Sequence, residues 1–202
     1  GLGAIKNVGR EAISNIIKER EKNGNFKSLM DFIKRANPKD INKLQLEGLV
    51  KSGAFDKLEI NRNGIFSSIP KLIQLNKVFY EDKVSKQSNL FDNDENTNNE
   101  KFKLITDEKW DKKELLSEEF KSLGFYISDH PLNNFKSIFP QLNIKPYKDY
   151  IIDQNNEGMI AGTLMTIQEK KSSKGTPFAI AKFSDNFGEY ELFIFLKYSL
   201  KI

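Results

Sequence analysis

Apolar residues at positions 12, 13, 16 and 17 fall on one stripe of a 3.6-residue helix, and a glycine, Gly9, opens the run. The spacing predicts a helix from Arg10 to Lys22 that stops at Asn23-Gly24, a C-terminal cap signal. Ser28, with Asp31 three residues on, has the pattern of a capping box before Leu29, Met30, Phe32 and Ile33. Asn37-Pro38 ends that short helix. A third helix, capped by Asp40, carries Leu44 and Val50 and closes at Gly53. A fourth begins near Asn61 and runs to about Lys83, with Ile65, Phe66, Ile69, Leu72 and Ile73 on one side. Residues 1–84 therefore read as one compact all-helical domain.

The pattern then lapses. Asp92 to Glu100 is rich in Asn, Asp and Glu, and no apolar residue lies between Phe91 and Phe102. Such a segment buries too little apolar area to offset its ordering entropy, so residues 85–107 read as a flexible linker. Periodicity returns in a helical connector, 108–157. Asp111 with Glu114 repeats the capping pattern before Leu115, Leu116, Phe120 and Leu123, and a second short helix is expected on Phe135, Ile138 and Phe139 before Pro140. Over 158–202 the period shifts towards strands at 160–167, 177–184 and 190–195. A basic turn over 170–175 and an Asp185-Asn186-Phe187-Gly188 turn join them. The fold class is α+β: an all-helical domain, a linker with short helices, and a truncated antiparallel meander. Three strands open a five-stranded OB barrel but do not close one. That, and a first residue other than Met, is expected of a piece of a longer protein.

Gly9 has no Cβ, so its backbone can approach another molecule closely, and the helix behind it directs free N–H groups and a positive dipole end towards it. That is a backbone-built anion site, which on DNA would grip phosphate and ignore sequence. A helix that merely starts after a glycine turn has the same pattern. A second copy favours the anion site: the helix through Leu49 and Val50 ends in Lys51-Ser52-Gly53-Ala54, and another helix follows. Two helix-turn-helix units with glycine at the turn resemble a tandem helix-hairpin-helix module, a type that binds duplex DNA across the minor groove. Charge distribution agrees: residues 1–60 carry 12 Lys and Arg against 8 Asp and Glu, whereas residues 91–130 carry 6 against 11. A solvated basic face would look the same.

The chain has 202 residues, 38% of them hydrophobic and 30% charged, as in a soluble globular protein. No apolar run approaches the ~20 residues needed to span a bilayer. There is no Cys, which excludes disulfides and thiolate metal sites and fits a reducing cytoplasm.

Across essentially all of its positions the chain resembles the bacterial DNA polymerase III alpha subunits. Gly1 to Gly9 with Ala12-Ile13 is similar to the first hairpin of that family, and Leu49 to Asp56 to its second. Leu123-Gly124-Phe125-Tyr126 with His130-Pro131-Leu132 is similar to its joining segment. Lys174-Gly175, Ala179, Phe183-Ser184-Asp185 and Gly188 are similar to its first OB strands. The resemblance implies duplex DNA contacts at Lys6, Asn7, Val8, Gly9, Arg10, Lys51, Ser52, Gly53 and Ala54. It implies a sliding-clamp-binding peptide within 87–91, where Gln87 supplies an amide and Leu90 and Phe91 are adjacent apolar anchors. Other replisome subunits are further implied partners. Such a pentapeptide also arises by chance as a patch that docks on its own domain.

The resemblance implies a DNA-directed DNA polymerase that uses Mg2+ and acidic palm residues, but those acids are expected outside this sequence. Asp107, Glu108 and Asp111 lie at a helix start, where acids serve the dipole. The single His130 precedes a proline and reads as structural. Neither a catalytic nor a metal-binding residue is assigned. Lys170, Lys171 and Lys174 on a hairpin tip are candidate single-strand contacts, with Phe178, Phe187 or Tyr190 as stacking candidates. Core aromatics and a solvated turn are the alternative. Two other functions fit the hairpins: a repair glycosylase, which needs an Asp or Lys-Asp pairing that does not stand out after Gly9 or Gly53, and a non-catalytic protein adaptor.

Overall fold

In the computed structural model, residues 2–88, 102–153 and 157–195 are described. They divide into two units, Gly1–Tyr126 and Ile127–Ile202. The first unit contains a 3-10 turn, Leu2–Ala4, then α1 (Arg10–Asn23), α2 (Leu29–Arg35), α3 (Lys43–Lys51), α4 (Arg62–Ser88) and α5 (Lys112–Leu123). One core collects Ile13 of α1, Phe32 and Ile33 of α2, Leu46, Leu49 and Val50 of α3, and Ile65, Ile69 and Leu72 of α4. Each such side chain contributes about 1.5–3 kcal/mol by leaving water. Phe32 meets Phe26 and Phe55 edge-on, with ring centroids 5.1 and 5.0 Å apart.

The caps follow local chemistry. Ser28 Oγ accepts the Asp31 N–H at 3.1 Å and starts α2, and Asp111 accepts the Glu114 N–H at 2.7 Å and starts α5. The third helix departs from expectation. Asn42 and Gln45 form its reciprocal capping box, while Asp40 accepts from Asn15 Nδ2 at 3.0 Å. Asp40 is diverted because α1 brings a donor within reach of its carboxylate. Asn76, buried in α4, donates to the carbonyls of Ile33 (2.7 Å) and Ala36 (2.8 Å) and so satisfies the end of α2.

The first unit extends well past residue 84. Helix α4 continues to Ser88, and Phe102, Leu104, Trp110 and Leu123 pack on the same core. A Cβ at Gly64 would lie 2.6 Å from Leu104 Cδ1 and 2.8 Å from the Thr106 carbonyl, so glycine there admits the returning chain. Ser68 Oγ accepts the Ile105 N–H at 3.0 Å. Residues 102–107 are thus held by α4 rather than belonging to a linker, and α5 belongs to the first unit rather than to a connector.

The second unit has a 3-10 helix (Pro131–Phe135), β1 (Ile144–Lys145), α6 (Tyr147–Ile152), β2 (Met159–Ile160), β3 (Thr163–Lys171), β4 (Pro177–Asp185) and β5 (Gly188–Phe195). β1 and β2 pair in parallel; β3, β4 and β5 form the expected antiparallel meander, with a register shift between Leu164 and Thr166. The helix expected on Phe135, Ile138 and Phe139 is instead the short 3-10 helix followed by turns. The strand expected at 160–167 breaks at Gly162, where a Cβ would lie 2.3 Å from Tyr190 Oη. That hydroxyl donates to the Ala161 carbonyl at 3.2 Å.

Candidate nucleic-acid interface

The first bend is open. Ile5 and Val8 turn inward onto α3, where Gly48 makes room: a Cβ there would lie 2.8 Å from the Lys6 carbonyl and 3.0 Å from Val8 Cγ2. Lys6, Asn7, Gly9 and Arg10 are exposed. The left-handed residue is Asn7 (φ 65°), not Gly9, whose φ of −66° and ψ of 144° suit any residue. A Cβ at Gly9 would have only Gln45 Nε2 near it, at 4.0 Å. Neither packing nor backbone conformation therefore requires glycine at this position. The first helical bond runs from the Ile13 N–H to the Gly9 carbonyl at 3.1 Å, and no side chain caps α1. Among the described residues, the amides of Asn7, Gly9, Arg10 and Glu11 meet no protein acceptor. They surround the positive end of a 14-residue helix. The Glu11 carboxylate in the first turn opposes an incoming anion, while Lys6 and Arg10 favour one. Val8 is corrected from a contact to a core residue that donates to the Ile5 carbonyl at 3.4 Å.

The second bend is closed. The N–H groups of Ser52, Gly53 and Ala54 donate to Gly48, Val50 and Leu49 respectively, each at 3.0 Å, and Ser52 Oγ donates to Leu49 at 2.9 Å. These donors, expected to meet phosphate, are consumed by the end of α3. Gly53 sits at φ 77°, and a Cβ there would lie 2.2 Å from Arg62 Nη2, so the fold itself demands this glycine. Arg62 bonds Asp56 through Nε (2.8 Å) and Nη2 (2.6 Å), Glu119 through Nη1 (3.2 Å), and the Lys51 carbonyl (3.2 Å). Lys51 Nζ lies 2.9 Å from Glu118 Oε2 and 5.0 Å from the Phe66 ring centroid. Burial raises the Glu118 carboxyl, but hydrogen bonds from Lys121 and Lys51 hold it below its ordinary value. Helix α4 is capped by Asn61, whose Oδ1 accepts the Gly64 N–H at 2.9 Å. The sequence shows two glycine bends alike; their neighbours distinguish them.

In the second unit, Lys170 and Lys171 are strand residues opposite Phe178 and Pro177, and Lys174 lies in the turn closed by Ser172 and Thr176. Neighbours in a strand face opposite ways, so Lys170 and Lys171 do not form one cluster. Tyr190 is corrected from stacking candidate to core. It is 7% exposed, stacks on Tyr147 at 4.1 Å, and burial, helped by Asp185, pushes its phenol up to about 12. Phe187 lies under Lys148 Nζ, 3.8 Å from its centroid. Phe178 stacks with Phe193 (6.4 Å) and Phe195 (5.9 Å), both exposed aromatics that alternation alone did not single out. Gln87 is in the last turn of α4, and Leu90 and Phe91 lie outside the described residues.

A model of the helix-hairpin-helix motif matches residues 1–65, a span that includes both bends. Over 99% of the chain, the sequence is 37% identical to DNA polymerase III subunit alpha of Rickettsia bellii, covering 17% of that protein. It is 33% identical to the subunit of the same name from Caulobacter vibrioides over 95% of the chain and 17% of the relative. For the Helicobacter pylori subunit the values are 34%, 98% and 17%.

Proposed function

We propose that the chain is a segment of a DNA polymerase III alpha subunit, since it matches a stretch that spans 17% of the length of these relatives, and that it holds duplex DNA by its phosphates. The observation that carries this reading is the uncapped, exposed N-terminus of α1 beside a glycine that no internal constraint demands. Room left by a missing side chain serves close approach of a second backbone. Amides of Asn7, Gly9, Arg10 and Glu11 donate to phosphate oxygens, and Lys6 and Arg10 supply charge. Such contacts position the duplex without reading its sequence. The second bend supports rather than touches.

Two finer roles complete the proposal. Gln87, Leu90 and Phe91 engage a sliding clamp, which makes re-engagement of DNA an intramolecular event. Because Gln87 is helical, docking in an extended form first unwinds the last turn of α4. Lys170, beside the Phe178, Phe193 and Phe195 ladder, tracks a single-stranded template, with Lys171 and Lys174 on the approaches. For the longer relatives the proposed chemistry is Mg2+-dependent nucleotidyl transfer. Among the described residues no group of three or more His, Asp or Glu could hold a metal, so no step of it is assigned to this chain.

Titration of labelled duplex against the 202-residue chain tests the reading. Affinity falls as log salt rises. Replacing Gly9 by Leu, which the open space tolerates, weakens binding about tenfold, or about 1.4 kcal/mol, without shifting the melting temperature. Unchanged affinity in that variant would refute the phosphate site.

A further inference from the structure

Helix α5 touches both bends, and its contacts are spaced by one helical turn. Ser122, in its last turn, accepts the Lys6 N–H through its carbonyl at 2.8 Å. One turn earlier, Glu119 and Glu118 receive Arg62 and Lys51, the two cations beside the second bend. Glu119 is fully buried. The first bend is thus gripped from two directions: Ile5 and Val8 rest on α3 at Gly48, and the Lys6 amide is tied to α5. Breaking the attachment of α5 to the second bend releases the tie at Lys6, and the amides that follow lose their fixed direction.

We propose that α5 is a strut that orients the phosphate-binding bend, with Lys51 and Glu118 acting as positioning residues rather than as a phosphate ligand and a bystander. This rests on the duplex-binding reading above. It reverses the sign expected from charge alone. A carboxylate near a polyanion ordinarily opposes binding. Glu118 instead favours it, because the ion pair it forms holds α5 against the second bend. Lys51 contributes through the same pair and releases no counterion from DNA.

The test uses Glu118→Gln, Lys51→Gln and the double variant in the 202-residue chain. If α5 is a strut, Glu118→Gln weakens duplex binding about threefold to fivefold, the upper part of the range of a partly exposed ion pair. Lys51→Gln weakens it similarly, the double variant is no weaker than either single one, and all keep the wild-type salt slope. A stronger Glu118→Gln complex, with a Lys51→Gln slope smaller by about 0.9, overturns the proposal and makes Lys51 a direct phosphate contact. Amide exchange gives a readout without DNA. In Glu118→Gln the Lys6 amide exchanges faster while that of buried Leu49 does not; equal changes at both, or none, sink the strut. If Gly9→Leu leaves duplex binding intact, the function is wrong, and Lys6 exchange still decides the strut.

Discussion

Three glycines in the hairpin region do three different jobs, and only their surroundings tell them apart. Gly53 is needed for its positive φ and for Arg62, Gly48 for the chain packed on it, and Gly9 for neither. His130 is equally a matter of neighbours. Its Nδ1 accepts the Leu132 N–H at 3.2 Å, so the ring proton lies on Nε2, facing Ser184 Oγ at 3.0 Å. Burial lowers its pKa from 6.5 although Asp185 and Asp129 pull upward. A lowered folded value means that this stabilisation is complete above pH 6.5 and is lost as pH falls through the folded value. Protonating Nδ1 abolishes the acceptor for Leu132. Thermal melts from pH 7.5 to 5.5 are expected to show the sheet unit losing stability, and His130→Ala to remove most of that slope at a cost of about 1–3 kcal/mol.

At the scale of elements, α1 to α4 were legible because their apolar stripes repeat over several turns. Local patterns also located the starts of α2 and α5, where Ser28 and Asp111 cap as expected. Asp40 failed as a cap because a residue 25 positions away captured it. Helix α6 went unseen, since six residues carry too little period to read. Asn76 shows what periodicity misses inside a helix it finds. It is an amide on the buried face of α4 that completes α2. Asn76→Leu strands two carbonyls and is expected to cost about 2–3 kcal/mol by chemical denaturation, more than Asn63→Leu, whose side chain is less buried.

For the whole molecule, the proposal assigns duplex and clamp to separate residues, and this separation can be tested. Leu90→Ala with Phe91→Ala is expected to abolish capture by an immobilised clamp and leave the duplex titration unchanged. Lys6→Glu with Arg10→Glu is expected to do the reverse. Loss of both activities in either variant would show that one surface serves both partners. The unit boundary was the largest departure at this scale. A polar stretch suggested a break near residue 84, but the first unit closes only at Tyr126, after the chain has returned along α4 and added α5.

The sequence by itself determined the helices of the hairpin region, the three-stranded meander and the likeness to DNA polymerase III alpha subunits, because periodicity, turn residues and motif order are local and additive along a chain. The second bend's amides are consumed by carbonyls of α3 beside it, Gly48, Leu49 and Val50. Tertiary structure decided which cations are held in ion pairs, how the first bend is tied down, and where the first unit ends. Those outcomes depend on acceptors contributed from far along the chain, Glu118 and Glu119 for Lys51 and Arg62, and Ser122 for the Lys6 amide. No window around either bend contains them.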